Sequence, residues 1–158
     1  MSTVTYRGQL PIGEQNKLHL STNKGLVGYR IKEFKIISNN PATDTNEIIA
    51  KIFLTDQTGL ITDTINFNDP GLLGVIYQKN EQNASQTAIG ELIIFDQEVF
   101  NQDIYVYIVD GSGGTDPVNY YIALEKISLD LNASTVSTLK NIRQSKADSL
   151  PQSPDCHR

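Results

Sequence analysis

The feature that most constrains the fold is alternation. In DIYVYIVD, residues 103–110, Ile104, Val106 and Ile108 alternate with Tyr105, Tyr107 and Val109. In VNYYIALEKISL, residues 118–129, Val118, Tyr120, Ile122 and Leu124 alternate with Asn119, Tyr121, Ala123 and Glu125. A period of two puts alternate side chains on opposite faces of an extended chain, so both runs read as half-buried β-strands. Similar signals recur at 4–10, 17–21 and 28–38, and at 48–55 with Ile48, Ala50, Ile52 and Leu54 on one face. In GYRIKEFKIIS, residues 28–38, the apolar face switches near Lys32-Glu33, which predicts a bulge. Segments 62–67 and 91–96 add two shorter strands, and 39–46 reads as a loop. One helix is expected inside the body. Asp69-Pro70 supplies a cap and a first-turn proline ahead of LLGVIYQK, although a strand fits that run nearly as well.

Eight or nine short strands with turn residues between them fit an all-β antiparallel β-sandwich or jelly roll better than parallel βαβ units. After Asp130 the composition changes. In LNASTVSTLKNIR, Val136, Leu139 and Ile142 recur at three-residue spacing behind Asn132, a candidate cap. This predicts a short C-terminal amphipathic helix or docking arm. The expected organisation is an N-terminal arm or edge strands over 1–22, a sandwich body over 23–130, a docking segment over 131–145 and a disordered tail over 146–158.

Charge and composition narrow the function classes. Residues 1–40 carry six basic and two acidic groups, whereas residues 41–130 carry three basic and fourteen acidic groups, a net charge of −11. An acidic body argues against nucleic-acid binding. No apolar run approaches the roughly 18 residues of a membrane span, and no secretory signal is visible. The single cysteine, Cys156, permits no disulfide within one chain and disfavours a cysteine-based metal site. Asn and Gln number 23 and are scattered, giving a surface that is polar without much charge. A basic first segment beside an acidic body favours head-to-tail packing of like subunits. The candidate subunit contacts are Tyr6 and Arg7 in that segment, with Val136, Leu139 and Ile142 near the C-terminus.

No chemistry declares itself. The loop DGSGGTD, residues 110–116, lacks the lysine and the following helix of a phosphate-binding loop, and lacks the alternate oxygen ligands and terminal Glu of an EF-hand. It reads as a seven-residue hairpin connection, with a looser cation site using Asp110 and Asp116 as the alternative. A hydrolase would need His19 within about 3 Å of a Ser, Thr or carboxylate in a cleft. Asn83 and Asn132 match the glycosylation pattern but lack the secretion signal that would make it relevant. Tyr105, Tyr107 and Tyr121, with the last two as cross-strand neighbours, would make a sugar-stacking platform, or simply stabilise a sheet. The expectation is therefore a protein with no catalytic residues, no cofactor and no membrane or nucleic-acid partner.

Three segments carry a resemblance: RGQLPIGEQNKLHLSTNKGLVGYRIKEFKI (7–36), IIFDQEVFNQDIYV (93–106) and VNYYIALEKISLDLNASTVSTLKNIR (118–143). Together they resemble small virion-associated proteins of tailed phages of marine bacteria, cyanophages among them. The resemblance implies a virion component without an active site, such as a capsid decoration or a tail or fibre element. It implies as partners other copies of the chain and other virion proteins, and it assigns no residue a role. A carbohydrate- or receptor-binding module of a phage fibre, meeting a host-surface glycan, is the alternative.

Overall fold

The computed structural model describes residues 2–22, 25–42, 45–80, 89–95 and 98–149, the side chains of Ile89 and residues 143–149 excepted. Eight strands and one helix follow in order: β1 (Thr3–Leu10), β2 (Gln15–Leu18), β3 (Val27–Ser38), β4 (Asn46–Phe53), β5 (Leu72–Asn80), β6 (Ile89–Ile94), β7 (Ile104–Asp110), β8 (Val118–Ser128) and α1 (Leu131–Ser149). The strands form two antiparallel sheets, ordered β1-β8-β3 and β2-β7-β4-β5-β6. The chain is an all-β sandwich.

The alternation read from the sequence is what places the core. Ile104, Val106 and Ile108 of β7 and Val118, Ile122 and Leu124 of β8 face each other between the sheets. At this depth each such side chain contributes roughly 1.5–3 kcal/mol over an exposed one. The β3 bulge is present. Ile31 pairs with Leu124 and Glu33 with Ala123, leaving Lys32 as the extra residue. It lets the apolar face change parity, so that Ile31 and Phe34 both point inward.

The strand pairs 1 with 8, 2 with 7 and 4 with 5 are those of a jelly-roll wrapping. The fourth such pair, β3 with β6, is not formed; β6 stays hairpinned on β5. Between the unpaired edges of β3 and β6 lies a groove of about 260 Å³, lined by Phe34, Ile36, Ile76, Gln78 and Leu92.

The structure departs from expectation at several places. The run after Asp69-Pro70 is strand β5, not a helix. Asp69 starts a turn instead: its carboxylate accepts from Gly71 N–H at 2.9 Å and its carbonyl from Leu72 N–H at 3.2 Å. Pro70 occupies the second turn position, where its fixed φ suits. Leu72 and Val75 then turn to one face and Leu73 and Ile76 to the other, all four buried. An amphipathic helix would expose a polar side that this segment lacks. Residues 62–67 form no strand. They belong to a segment, 54–71, that crosses the outer face of the five-stranded sheet.

Of the two alternatives for the first segment, the described residues 2–22 take the edge strands. β1 and β2 are edge strands of the two sheets, and Leu10, Leu18 and Leu20 are in the core. DGSGGTD joins β7 in one sheet to β8 in the other, so it is an inter-sheet connection and not a hairpin. The helix is capped by Asp130, not Asn132: its carboxylate accepts from Ala133 N–H at 2.7 Å. α1 also runs on to Ser149, past the expected end of the docking segment at 145. The remainder of the expected disordered tail, with Cys156 and His157, lies outside the described residues, as does Asn83.

Candidate functional site

α1 is attached to the sandwich by an unusual joint. Ser134 is buried, and its hydroxyl donates to the Gly25 carbonyl at 2.7 Å. Asn101 Nδ2, also buried, donates to Gly25 O at 3.0 Å and approaches Ser134 O at 3.3 Å and Thr138 Oγ1 at 3.0 Å. Asn141 Nδ2 donates to Leu54 O at 3.3 Å, and Lys140 pairs with Glu98. Gly25 is required where it stands. Its φ is +62°, and an added Cβ would lie 3.1 Å from Ser134 Oγ. Ser134, Thr138 and Asn141 recur at the spacing of one helix face. The face that α1 turns to its own body is therefore polar.

Its apolar residues point elsewhere. Leu131, Val136, Leu139 and Ile142 are 75%, 66%, 45% and 56% exposed. The spacing of Val136, Leu139 and Ile142 predicts an apolar stripe, and the stripe exists. What spacing alone does not show is that the body leaves it in solvent.

Of the other candidate contacts, Tyr6 and Arg7 sit within β1, opposite Ile122 and Tyr121 of β8. Tyr6 is half-buried against the core, and burial, then the neighbouring Tyr29, holds its hydroxyl above the usual tyrosine range. Arg7 lies on the outer face of the three-stranded sheet, across the Tyr121 row from Lys35. That face also carries Arg30, Lys32, Glu33 and Glu125. The Arg30 guanidinium bonded to Glu125 holds that carboxyl below the usual range.

The other outer face is covered. Lys51, on the middle of β4, is buried and donates to Thr62 O at 3.2 Å and to Thr64 O, both in the crossing segment. Its ammonium lies 5.4 Å from the Tyr107 ring centre. Burial pushes the Lys51 ammonium below the usual lysine range, against the pull of Asp63 and Asp69. Burial likewise pushes the Tyr107 hydroxyl up to about 12. Lys51 acts as a clasp: its donors are spent on backbone carbonyls of the segment it holds. The sequence offers no signal for this, because a lone lysine in a strand ordinarily faces water.

Asp110 has a structural task. Its Oδ1 accepts from Glu47 N–H at 3.1 Å, Ser112 N–H at 2.9 Å and the Ser112 hydroxyl at 2.6 Å. A carboxylate so engaged ties the start of DGSGGTD to β4. Gly114 lies close beside it: an added Cβ would fall 2.3 Å from Asp110 Oδ2, so the carboxylate would have to shift. Asp116 is exposed further along the same loop. Among the described residues no group of three or more His, Cys, Asp or Glu gathers in metal-binding fashion.

The tyrosine platform is not assembled. Tyr107 is in β7 of one sheet, fully buried, and Tyr121 in β8 of the other, so they are not cross-strand neighbours. Alternation places Tyr105 and Tyr107 on one face correctly, but cannot show that 54–71 covers it. His19 Nδ1 lies 3.9 Å from Asp103 Oδ2 on a side chain that is 80% exposed. Asp103 is occupied with Lys17 at 3.4 Å and with the backbone N–H groups of Leu20 and Ser21. No protein-family model matches the chain, and no curated protein or solved structure was found to match it.

Proposed function

We propose that this chain is a non-enzymatic virion structural protein, a capsid decoration or other surface component of a tailed-phage particle, which works by assembling through α1. The observation that carries this reading is the orientation of that helix. A helix that serves only its own domain buries its apolar face. α1 is pinned by Ser134, Thr138 and Asn141, and turns Leu131, Val136, Leu139 and Ile142 outward. Apolar side chains gathered on one exposed element mark a surface made to be covered.

Two further observations support the reading. The three segments that resemble marine-phage virion proteins include β2, nearly all of β3, β8 and much of α1. The sandwich wraps its strands in pairs as capsid domains do; lectins share that wrapping, so this is analogy of fold alone. The glycan-binding alternative rested on an aromatic platform, and Tyr107 and Tyr121 do not build one.

Mass spectrometry of gradient-purified particles, with electron microscopy of particles labelled for this chain, tests the proposal. Many copies at the particle surface are expected. A chain confined to the infected-cell lysate and missing from particles would overturn it.

A further inference from the structure

Two exposed apolar surfaces of this molecule carry opposite surroundings. The first is the α1 stripe. Its helix holds Arg143 and Lys146 against one acid, Asp148, while Lys140 is paired with Glu98. The second lies on the outer face of the five-stranded sheet. There the crossing segment displays Ile65 and Phe67, and β6 displays Ile93, all exposed. Phe67 packs edge-on against Phe95 at 5.5 Å between ring centres, which joins the segment to the end of β6. Asp63 and Asp69 flank Ile65 and Phe67 in the chain. Glu91 stands opposite Tyr77 on the same face of the sheet; Glu47, which accepts from the Tyr77 hydroxyl at 2.7 Å, stands opposite Lys79 at the far end.

We propose that α1 of one copy seats its Val136–Leu139–Ile142 stripe on this Ile65–Phe67–Ile93 patch of the next copy, a head-to-tail contact. The inference rests on the assembly reading above and names its partner surface. Charge decides between the possible seats. Stripe against stripe, as in a two-fold dimer, would bring two basic helices together. The groove between β3 and β6 is apolar, but its walls carry one cation and one anion, Lys35 and Glu91, and offer a basic helix no net attraction. The patch offers apolar surface with carboxylates around it, which both attracts the helix and sets its register. Because stripe and patch are different surfaces, the contact leaves one of each free in every pair. Repetition then gives a ring, or an open array where the rotation does not close. Such a contact is small for a stable dimer, so the association is weak in dilute solution and gains from many copies held on one particle.

Sedimentation of the full chain over a range of concentrations tests this, with two variants. Leu139→Asp with Ile142→Asp removes the stripe; Phe67→Ser with Ile93→Ser removes the patch, and Ile65→Asp is a second patch variant that leaves the Phe67–Phe95 contact in place. The wild type gains mass with concentration, and each variant alone shows dissociation at least about tenfold easier, which corresponds to 1.4 kcal/mol. Mixing stripe and patch variants restores a single one-to-one complex, because one good stripe meets one good patch. That complex weakens as salt rises and the screening length falls from about 10 Å at 0.1 M towards 3 Å at 1 M. A patch variant that still self-associates like the wild type overturns the proposal in favour of stripe-on-stripe pairing. A mixture that stays monomeric, or a wild type monomeric at every concentration, also overturns it. A monomeric chain found on particles would sink this contact and leave the virion reading standing. Head-to-tail association by a chain missing from particles would do the reverse.

Discussion

The sandwich and α1 treat the same kinds of residue in opposite ways. Between the sheets, Ile52, Val106, Ile108 and Ile122 are wholly out of water, and the central strands β4, β5, β7 and β8 are paired on both sides. Among the described side chains of α1 the buried one is Ser134, while Leu131, Val136, Leu139 and Ile142 are in solvent. A core gains from non-directional burial, and any well-shaped apolar group serves it. The α1 joint depends instead on a few directed hydrogen bonds around Gly25, each worth about 0.5–1.5 kcal/mol net. The difference teaches how each part is held. The body is held by apolar burial between its sheets. The helix is held in one orientation by polar contacts, while its described apolar side chains face solvent.

The comparison can be broken first at its strongest side. Ile122→Ala, in the middle of β8 and fully buried, should lower unfolding free energy by about 2–5 kcal/mol in urea titration. A loss below about 1 kcal/mol would mean that the core is not close-packed there.

The next effect is at Lys51. Lys51→Ala removes the clasp on 54–71, and bonds from a charged donor are worth about 1.5–3 kcal/mol. The variant should lose about that much and become cleavable within 54–71 under limited proteolysis. An unchanged cleavage pattern would show that the segment is held by Ile61 and its apolar contacts instead. Because burial lowers the Lys51 ammonium, the unfolded chain binds this proton more tightly than the folded one. Stability from this group therefore rises with pH between the lowered folded value and the ordinary lysine value, and Lys51→Met should flatten that rise.

The α1 joint comes third. Asn101→Ala leaves the Gly25 carbonyl and its surroundings short of a donor, at a cost of about 1–3 kcal/mol. Hydrogen exchange should speed up in α1 before it does in β8. Equal acceleration in both would merge helix and sandwich into one cooperative unit and end the comparison.

A smaller effect is expected at low pH. Burial raises the Asp103 carboxyl, but the N–H groups of Ser21 and Leu20, and Lys17, outweigh it and hold it below the usual range. A depressed folded value means that the stability it contributes is present above the ordinary aspartate range and is lost as pH falls through the folded value. Asp103→Asn should therefore shrink the acid-side decline in melting temperature. A decline of unchanged size would exclude Asp103 as a contributor.

The smallest effect on stability belongs to the stripe. Leu139→Asp with Ile142→Asp should change unfolding free energy by no more than about 0.5 kcal/mol, the range of exposed substitutions. A collapse of the melting temperature would place the stripe in the intramolecular core and erase the contrast.

Much of this molecule is legible before folding. Alternation in 103–110 and 118–129 identifies β7 and β8 and sorts their side chains into two sets, one of which meets the other sheet, because a period of two puts alternate residues on opposite faces. The parity change at Lys32 marks the bulge for the same reason. The three-residue spacing of Val136, Leu139 and Ile142 announces a helical stripe. Local chemistry misleads where a turn and a helix start alike: Asp69-Pro70 suits both, and only the sheet on either side of β5 chooses the strand. Tertiary structure alone decides which faces are covered. That Tyr107 is buried, that Lys51 holds down 54–71, and that α1 docks by its serine, threonine and asparagine depend on contacts between residues far apart in the chain. Periodicity separates two faces of an element but carries no label saying which one meets water; that is settled by what the rest of the chain lays against it.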